Sequence, residues 1–207
     1  MKTSDNPYTR LPSGAKHRLR RLLMRFGLAG LPFWFGGSIA LGAERLQWDQ
    51  VKADVRARHP GVSQLSVSAL QAWHQDRGRA PPLLLDTRSR EEFVVSHLEG
   101  AHLARSLDEA LSVLARYPQT TQVVLYCSVG VRSSALAERL SAHLQRRGGS
   151  ASAASAPPAV FNLEGSVFEW ANAGLPLRNA DGPTTRVHPF NAHWGTLLKS
   201  SQADAPR

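Results

Sequence analysis

The apolar residues of this chain form short continuous runs, and stretches with helical spacing lie between them. Three runs have the length of strands that are buried on both faces, because each is bounded by turn residues or polar residues. They are Leu83–Leu85, Val123–Tyr126 and Ala159–Leu163, and a shorter run at Ala101–Leu103 is a fourth candidate strand. Strands that alternate with helices along a chain predict an α/β fold, in which helices cover both faces of a parallel sheet.

Helical spacing, with apolar residues three or four positions apart, is found before, between and after these strands. One helix is expected to begin at a serine cap, either Ser66 or Ser68, and to carry Leu70 and Trp73. The other predicted helices cover residues 44–59, 90–95, 107–114, 133–145 and 167–172. Residues 148–158 are rich in Ser and Ala, and we interpret them as a flexible insertion between a helix and a strand.

These elements divide the 207 residues into four parts, one of which has the size of an ordinary domain. Residues 1–43 combine a basic segment with an apolar run, and residues 44–61 form an amphipathic helix or linker. The globular domain is predicted over residues 62–178. Residues 179–207 are predicted to be an irregular tail, with Phe190 and Trp194 packed onto the domain.

Residues 26–43 form an uncharged run directly after the basic segment. A charged stretch, an apolar stretch and then small residues is the order typical of a secretory signal peptide. We therefore expect the protein to be exported to the periplasm, or to be anchored in the membrane through residues 26–43. Pro32 and five glycines weaken a single spanning helix. The alternative is a buried N-terminal helix in a cytoplasmic protein.

The net charge of +9 is unevenly distributed along the chain. Residues 1–25 hold seven Lys or Arg and one acidic residue, so most of the excess belongs to the N-terminal segment. The charge is therefore relevant to targeting, and we predict no nucleic-acid partner. The sequence has one cysteine and no Cys–His cluster with zinc spacing. His188 and His193 are five positions apart, which suits no single helical face, so we expect neither a metal nor a cofactor.

Cys127 is the main candidate for a catalytic residue, and it follows a predicted strand and precedes a predicted helix. Gly130 allows a tight loop in which backbone N–H groups point at the sulfur. The positive end of the following helix and the charge of Arg132 also favour the thiolate. These features predict a nucleophilic cysteine that forms a covalent intermediate. The alternative is that Cys127 is a small buried apolar residue, but Gly130 and Arg132 have no use in an apolar core.

Five segments of the chain together resemble the rhodanese homology domain, over about residues 62–177. These are Leu84–Arg88, Glu91–Phe93, His97–Ala101, Cys127–Ser134, and Asn162–Ser166 followed by Trp170 and Gly174–Leu177. The resemblance implies a parallel five-stranded sheet with helices on both faces. It also implies a sulfurtransferase, in which Cys127 takes a sulfane sulfur from a small anion such as thiosulfate and passes it to a thiol or to cyanide.

The resemblance also assigns roles to single residues. Cys127 matches the catalytic cysteine. The substrate-binding set consists of Ser128, Val129, Gly130, Val131, Arg132 and Arg88. Structural support is assigned to Asp86, Glu91 and His97. The Asp86-x-Arg88 motif has a largely structural role in the family, and we expect Arg88 to pair with Glu91 or Glu92.

Two other functions use the same fold. Related phosphatases place five residues between the cysteine and the arginine, whereas this loop has four between Cys127 and Arg132. The shorter loop suits a single sulfur atom better than a tetrahedral oxyanion, so a phosphatase is the weaker hypothesis. A sulfur carrier or protein-binding module without turnover is the remaining alternative.

Overall fold

The computed structural model describes residues 46–148, 157–199 and 201–203. The predicted signal or anchor at residues 26–43 lies outside the described residues, as does most of the insertion predicted at 148–158. Among the residues that are described, no helix has the length and apolar character needed to cross a membrane.

Five parallel strands form one sheet, in the order β1-β5-β4-β2-β3. The strands are β1 Ser63–Leu65, β2 Leu83–Asp86, β3 His102–Leu103, β4 Gln122–Tyr126 and β5 Ala159–Leu163. Every residue of β2 is buried, as are the last four residues of β4, because helices cover both faces of the sheet. The α/β fold with a parallel five-stranded sheet is confirmed. Strand β1 was not predicted, since Ser63 and Gln64 give no apolar run at this edge of the sheet.

Six helices accompany the sheet in the described residues, and a seventh lies near the C-terminus. They are α1 Trp48–Arg58, α2 Val67–Gln75, α3 Arg90–Val95, α4 Leu107–Leu114, α5 Val131–Gly148, α6 Ser166–Asn172 and α7 Ala192–Gly195. Ser66, Ser89 and Ser106 begin three of them, and each hydroxyl accepts a hydrogen bond from a backbone N–H three positions ahead. Ser66 is thus the cap of α2.

Helix α1 packs against the core of the domain. Val51 and Val55 are each 5% exposed, because this face of α1 packs on the apolar core. Lys52 forms an ion pair with Glu169 at 2.5 Å, and Arg56 forms one with Glu164 at 2.7 Å. These contacts join α1 to residues that are more than a hundred positions away, which local sequence patterns do not reveal.

The C-terminal tail is more regular than predicted. Strands β6 Leu177–Asn179 and β7 Gly182–Thr184 form an antiparallel hairpin, and α7 follows. Gly182 has a φ of +124°, a conformation that glycine adopts without strain, and this closes the turn between the two strands. Segments of three or four residues are too short to show periodicity, so the sequence pattern reads as irregular.

Candidate active site

The carboxyl end of β4 and the start of α5 place Cys127 in a loop that ends at the first turn of α5. The backbone N–H of Cys127 donates to Ser166 Oγ at 3.1 Å, and the N–H of Val167 donates to the Cys127 carbonyl at 3.1 Å. These bonds tie the loop to the start of α6, so Cys127 is held from two elements. Cys127 is 1% exposed, and its thiol therefore lies at the bottom of the site.

Gly130 is the residue that brings backbone donors to the sulfur. Its N–H donates to Cys127 Sγ at 3.1 Å. Its φ is +106°, and a Cβ at this position would lie 3.3 Å from Asn162 Nδ2 and 3.8 Å from Val55 Cγ1. A side chain here would be strained by the backbone conformation and crowded by Asn162, so this loop requires glycine.

The surroundings of Cys127 favour its thiolate. Burial of the sulfur raises its pKa, but the Arg132 charge, the Ser133 hydroxyl and backbone N–H groups lower it by more. The net result is a pKa below the ordinary value of a cysteine. A buried thiol that ionises more easily than usual is suited to nucleophilic attack.

Arg132 is held on one side of the loop by a carboxylate and a hydroxyl. Its Nη1 and Nη2 donate to the two oxygens of Glu92 at 2.8 Å each, and Nη2 also donates to Ser128 Oγ at 2.9 Å. Ser128 Oγ in turn donates to Glu92 Oε1 at 3.0 Å. This fork-to-fork pair fixes the plane of the guanidinium and leaves the Arg132 side chain 29% exposed.

Glu92, and not Glu91, is the supporting carboxylate. The Ser89 hydroxyl accepts from Glu92 N, and the Glu92 carboxylate accepts from Ser89 N, which forms a capping box at the start of α3. Although burial raises its pKa, the hydrogen bonds and charge of Arg132 lower the pKa of Glu92 to about 2. Glu91 is exposed, so its predicted supporting role is wrong. The spacing Ser89-x-x-Glu92 was the available signal.

Arg88 does not reach the site, which corrects its place in the substrate-binding set. Its side chain and that of Asp86 are both fully buried, and Arg88 Nη2 donates to Asp86 Oδ2 at 2.7 Å. Nη2 also donates to the Ser96 carbonyl at 2.5 Å. The expected partners Glu91 and Glu92 are therefore wrong as well: Arg88 pairs with Asp86, two positions away, because both side chains turn inward at the end of β2.

A neutral hydrogen-bond chain lies on the other side of the loop. Ser133 Oγ donates to Asn162 Oδ1 at 2.6 Å, and Asn162 Nδ2 donates to Gln64 Oε1 at 2.7 Å. Ser133 and Asn162 are both fully buried. This hydrogen-bond chain was not predicted, and its one signal in the sequence was a polar Asn162 inside an otherwise apolar strand.

The remaining predicted residues have packing roles. His97 stacks on Phe93 with 3.9 Å between ring centroids, and its backbone N–H donates to the Arg178 carbonyl at 2.8 Å. Val129 is 5% exposed and Val131 packs against the same apolar core. The side chains of these two valines therefore contact the apolar core.

The C-terminal segment also reaches the site. The Arg132 guanidinium lies 4.6 Å from the centroid of the Phe190 ring, and Phe190 is 41% exposed. Trp194 instead packs against the apolar core. Among the described residues, no group of three or more His, Cys, Asp or Glu side chains has the arrangement of a metal site. The arrangement offers a thiolate, backbone donors and a cation, and this set can bind and transfer an anionic or electrophilic sulfur.

Comparison with known proteins gives a family match. Residues 67–173 match the family model described as Rhodanese-like domain, and this range is more than half of the chain. A probable adenylyltransferase/sulfurtransferase of Mycobacterium tuberculosis, MoeZ, is 34% identical over 131 residues. The match covers 63% of this chain and 30% of that protein, so the chain spans less than a third of the length of the curated relative.

Two solved structures are more distant. A thiosulfate sulfurtransferase from Pseudomonas aeruginosa has a TM-score of 0.47 and 22% identity, covering 71% of this chain and 26% of that one. A rhodanese-like domain protein from Staphylococcus aureus has a TM-score of 0.43 and 20% identity, covering 57% of this chain and 98% of that one.

Proposed function

Because this chain belongs to the rhodanese-like domain family, we propose that it is a sulfurtransferase that carries sulfur as a persulfide on Cys127. The Cys127 thiolate attacks the sulfane sulfur of a small anionic donor such as thiosulfate. The donor S–S bond breaks, sulfite leaves with the bonding electron pair, and Cys127 carries one extra sulfur. An acceptor thiolate or cyanide then attacks that outer sulfur, and the Cys127 thiolate is restored. Both steps are substitutions at sulfur, so neither needs an external oxidant or reductant.

The environment of Cys127 Sγ is the observation that supports this proposal most directly. The Gly130 N–H points at the sulfur, and the pKa of the buried thiol lies below its ordinary value despite burial. The same N–H group and the nearby Arg132 charge are suited to a terminal persulfide sulfur, which is also an anion.

The cation of the loop is already paired. Arg132 donates two hydrogen bonds to Glu92, so its charge is largely compensated within the protein. Attraction for an incoming dianion is therefore modest, although the Arg132 charge still does more than the Ser133 hydroxyl or the backbone N–H groups to favour the Cys127 thiolate. This balance suits a single sulfur atom better than a phosphate group, and we expect no turnover of phosphate esters.

Thiosulfate-to-cyanide transfer by the purified chain, with Cys127→Ser as the matched variant, tests the proposal. The wild type should transfer sulfur and the variant should lose at least about 1,000-fold in kcat/KM, because a hydroxyl lacks the thiolate chemistry. Intact-mass measurement after donor treatment should show one added sulfur atom on the wild type and none on Cys127→Ser.

The outcomes separate the candidate functions. Unchanged activity in Cys127→Ser would refute the proposed mechanism. A sulfur adduct on the wild type without turnover to cyanide or thiols would favour a carrier module instead. Hydrolysis of a phosphate ester that depends on Cys127 would favour the phosphatase.

We further propose that residues 26–43 act as a signal peptide or membrane anchor, a proposal that is supported by the order of charge, apolar run and small residues in the sequence alone. N-terminal sequencing of the mature protein in cell fractions tests it. A start near residues 41–44 indicates cleavage, and an intact N-terminus in the membrane fraction indicates an anchor. An intact protein in the soluble cytoplasm would contradict both.

A further inference from the structure

Phe190 contacts the cation of the candidate active site although it belongs to the C-terminal segment. The centroid of its ring lies 4.6 Å from Cζ of Arg132. The N–H groups of the same guanidinium donate hydrogen bonds to Glu92 and Ser128. Hydrogen bonds in the guanidinium plane and an aromatic ring across its face are complementary contacts. Phe190 is nevertheless 41% exposed, so its position is not explained by burial in the core.

The backbone of Phe190 is held in an unfavourable conformation. Its φ is +63°, in the left-handed region that a bulky residue rarely adopts. The Phe190 N–H donates to His188 Nδ1 at 3.0 Å, and Asn191 caps the helix that follows. Strain at an exposed aromatic residue persists only where surrounding structure dictates it, and such positions concentrate at functional sites.

The segment on either side of Phe190 is firmly attached to the domain. Val187 is fully buried and its N–H donates to the Gln202 carbonyl at 2.7 Å. Asn172 in α6 donates to the Leu197 carbonyl at 2.7 Å and accepts from Lys199 N at 2.9 Å. Because the segment is anchored before and after it, Phe190 is presented to Arg132 by a fixed support.

We propose that Phe190 is a positioning residue of this site, holding the Arg132 guanidinium in its bonded plane and keeping water from its outer face. Water around a charge screens its field, so covering Arg132 strengthens the stabilisation of the nearby Cys127 thiolate. The role of Arg132 in transfer rests on the proposed function. Thiolate formation can be measured without any sulfur donor, and it therefore tests Phe190 independently.

The charged groups around the sulfur come from three elements. Arg132 on α5 lowers the pKa of Cys127. Glu92 on α3 pairs with Arg132, and Arg88 after β2 contributes a positive charge that lowers the pKa of Glu92 and of Arg132. Helix α1 faces the loop with the apolar Val55, and α6 faces it with the neutral Ser166. Phe190 contacts one member of this set, Arg132.

The experiment is the pH dependence of iodoacetamide alkylation of the full chain, in which Cys127 is the only cysteine. Phe190→Ala should move the midpoint to higher pH, with about 3- to 10-fold less thiolate at a pH below both midpoints. Phe190→Trp keeps an aromatic face and should follow the wild type. Tyr117→Ala removes an aromatic side chain of the same 41% exposure away from the loop and should also follow the wild type.

Superimposable profiles for Phe190→Ala and the wild type would overturn the proposal, as would equal shifts in Phe190→Ala and Phe190→Trp. Phe190→Leu serves if the alanine variant fails to fold, since it keeps apolar volume without the aromatic face. Phe190→Leu should shift the midpoint in the same direction by a smaller amount. A profile identical to that of the wild type would contradict a role for the aromatic ring. Absence of thiosulfate transfer in the wild type would refute the proposed function and leave this comparison intact.

Discussion

Two arginine–carboxylate pairs flank the candidate active site, and they differ chiefly in exposure. Arg88 and Asp86 are both fully buried, whereas Arg132 is 29% exposed and its partner Glu92 is 3% exposed. In the first pair the guanidinium also donates to the Ser96 carbonyl, so it ties the end of β2 to the chain after α3. In the second pair the guanidinium also donates to Ser128 in the cysteine loop and lies beneath Phe190.

An arginine–carboxylate pair therefore has a different role when it is buried than when it is partly exposed. A fully buried pair cannot meet a substrate, and removing one partner leaves an uncompensated charge in the core. A pair at the mouth of a site retains a face that solvent, substrate or another side chain can reach. The Arg88 pair therefore supports folding, and the Arg132 pair sets the electrostatics of Cys127.

The largest expected effect is on the buried pair. Asp86→Ala should lower the free energy of unfolding by about 4 kcal/mol, because it leaves the Arg88 charge buried without its carboxylate. Urea denaturation followed by circular dichroism measures this loss as a lower midpoint with an unchanged slope.

Glu99→Ala is the matched control. Glu99 also pairs with an arginine, Arg178, but its side chain is 74% exposed, so its removal should leave the midpoint unchanged. Equal effects of the two variants would show that depth does not distinguish these pairs.

The next effect is a dependence of stability on pH. Glu92 has a pKa of about 2 in the folded chain against 4.5 as its ordinary value. Its stabilising contribution is therefore fully present above about pH 4.5 and is lost as the pH falls toward 2. The shift corresponds to roughly 3 kcal/mol. Glu92→Gln should lower stability at pH 7 and flatten its decline between pH 4.5 and 2, measured as urea midpoints across that range.

Glu91→Gln changes the neighbouring residue in the same helical turn. The pKa of Glu91 is also lowered, by backbone and Ser89 hydrogen bonds, but its side chain is exposed. Glu91→Gln should therefore reduce the pH dependence of stability by less than Glu92→Gln does. A steeper decline in Glu92→Gln than in the wild type would contradict the assignment of Glu92 as the low-pKa carboxylate.

The smallest effect is expected for replacement of the arginine by lysine, which can be compared between the two pairs. Arg132→Lys keeps a positive charge but loses the two-pronged contact with Glu92, so sulfur transfer should fall about tenfold. Arg88→Lys should destabilise the chain, while the kcat of the folded fraction stays near that of the wild type. A fall in kcat for Arg88→Lys larger than that for Arg132→Lys would reverse the roles that exposure assigns to them.

Local patterns predicted most of the fold but less of the site. The apolar runs at β2, β4 and β5 were recognisable because strands buried on both faces need continuous apolar residues. Strand β1 and the C-terminal hairpin were not predicted, since strands of three residues are too short to show a hydrophobic period. Glu91 was predicted in the place of Glu92, and Arg88 as a substrate contact, because a motif does not indicate where a side chain points.

The order of residues along the chain was enough to predict the α/β alternation, the placement of Cys127 between a strand and a helix, and a loop with four residues between Cys127 and Arg132. These properties depend on neighbouring residues, whose spacing is visible along the chain. Four contacts depend on tertiary packing. Glu92 bonds to Arg132, Arg88 pairs with Asp86 in the core, Ser133 donates to Asn162, and the Phe190 ring lies against Arg132. Most of these contacts join segments distant along the chain, and all depend on burial and side-chain direction, which packing sets and local sequence does not.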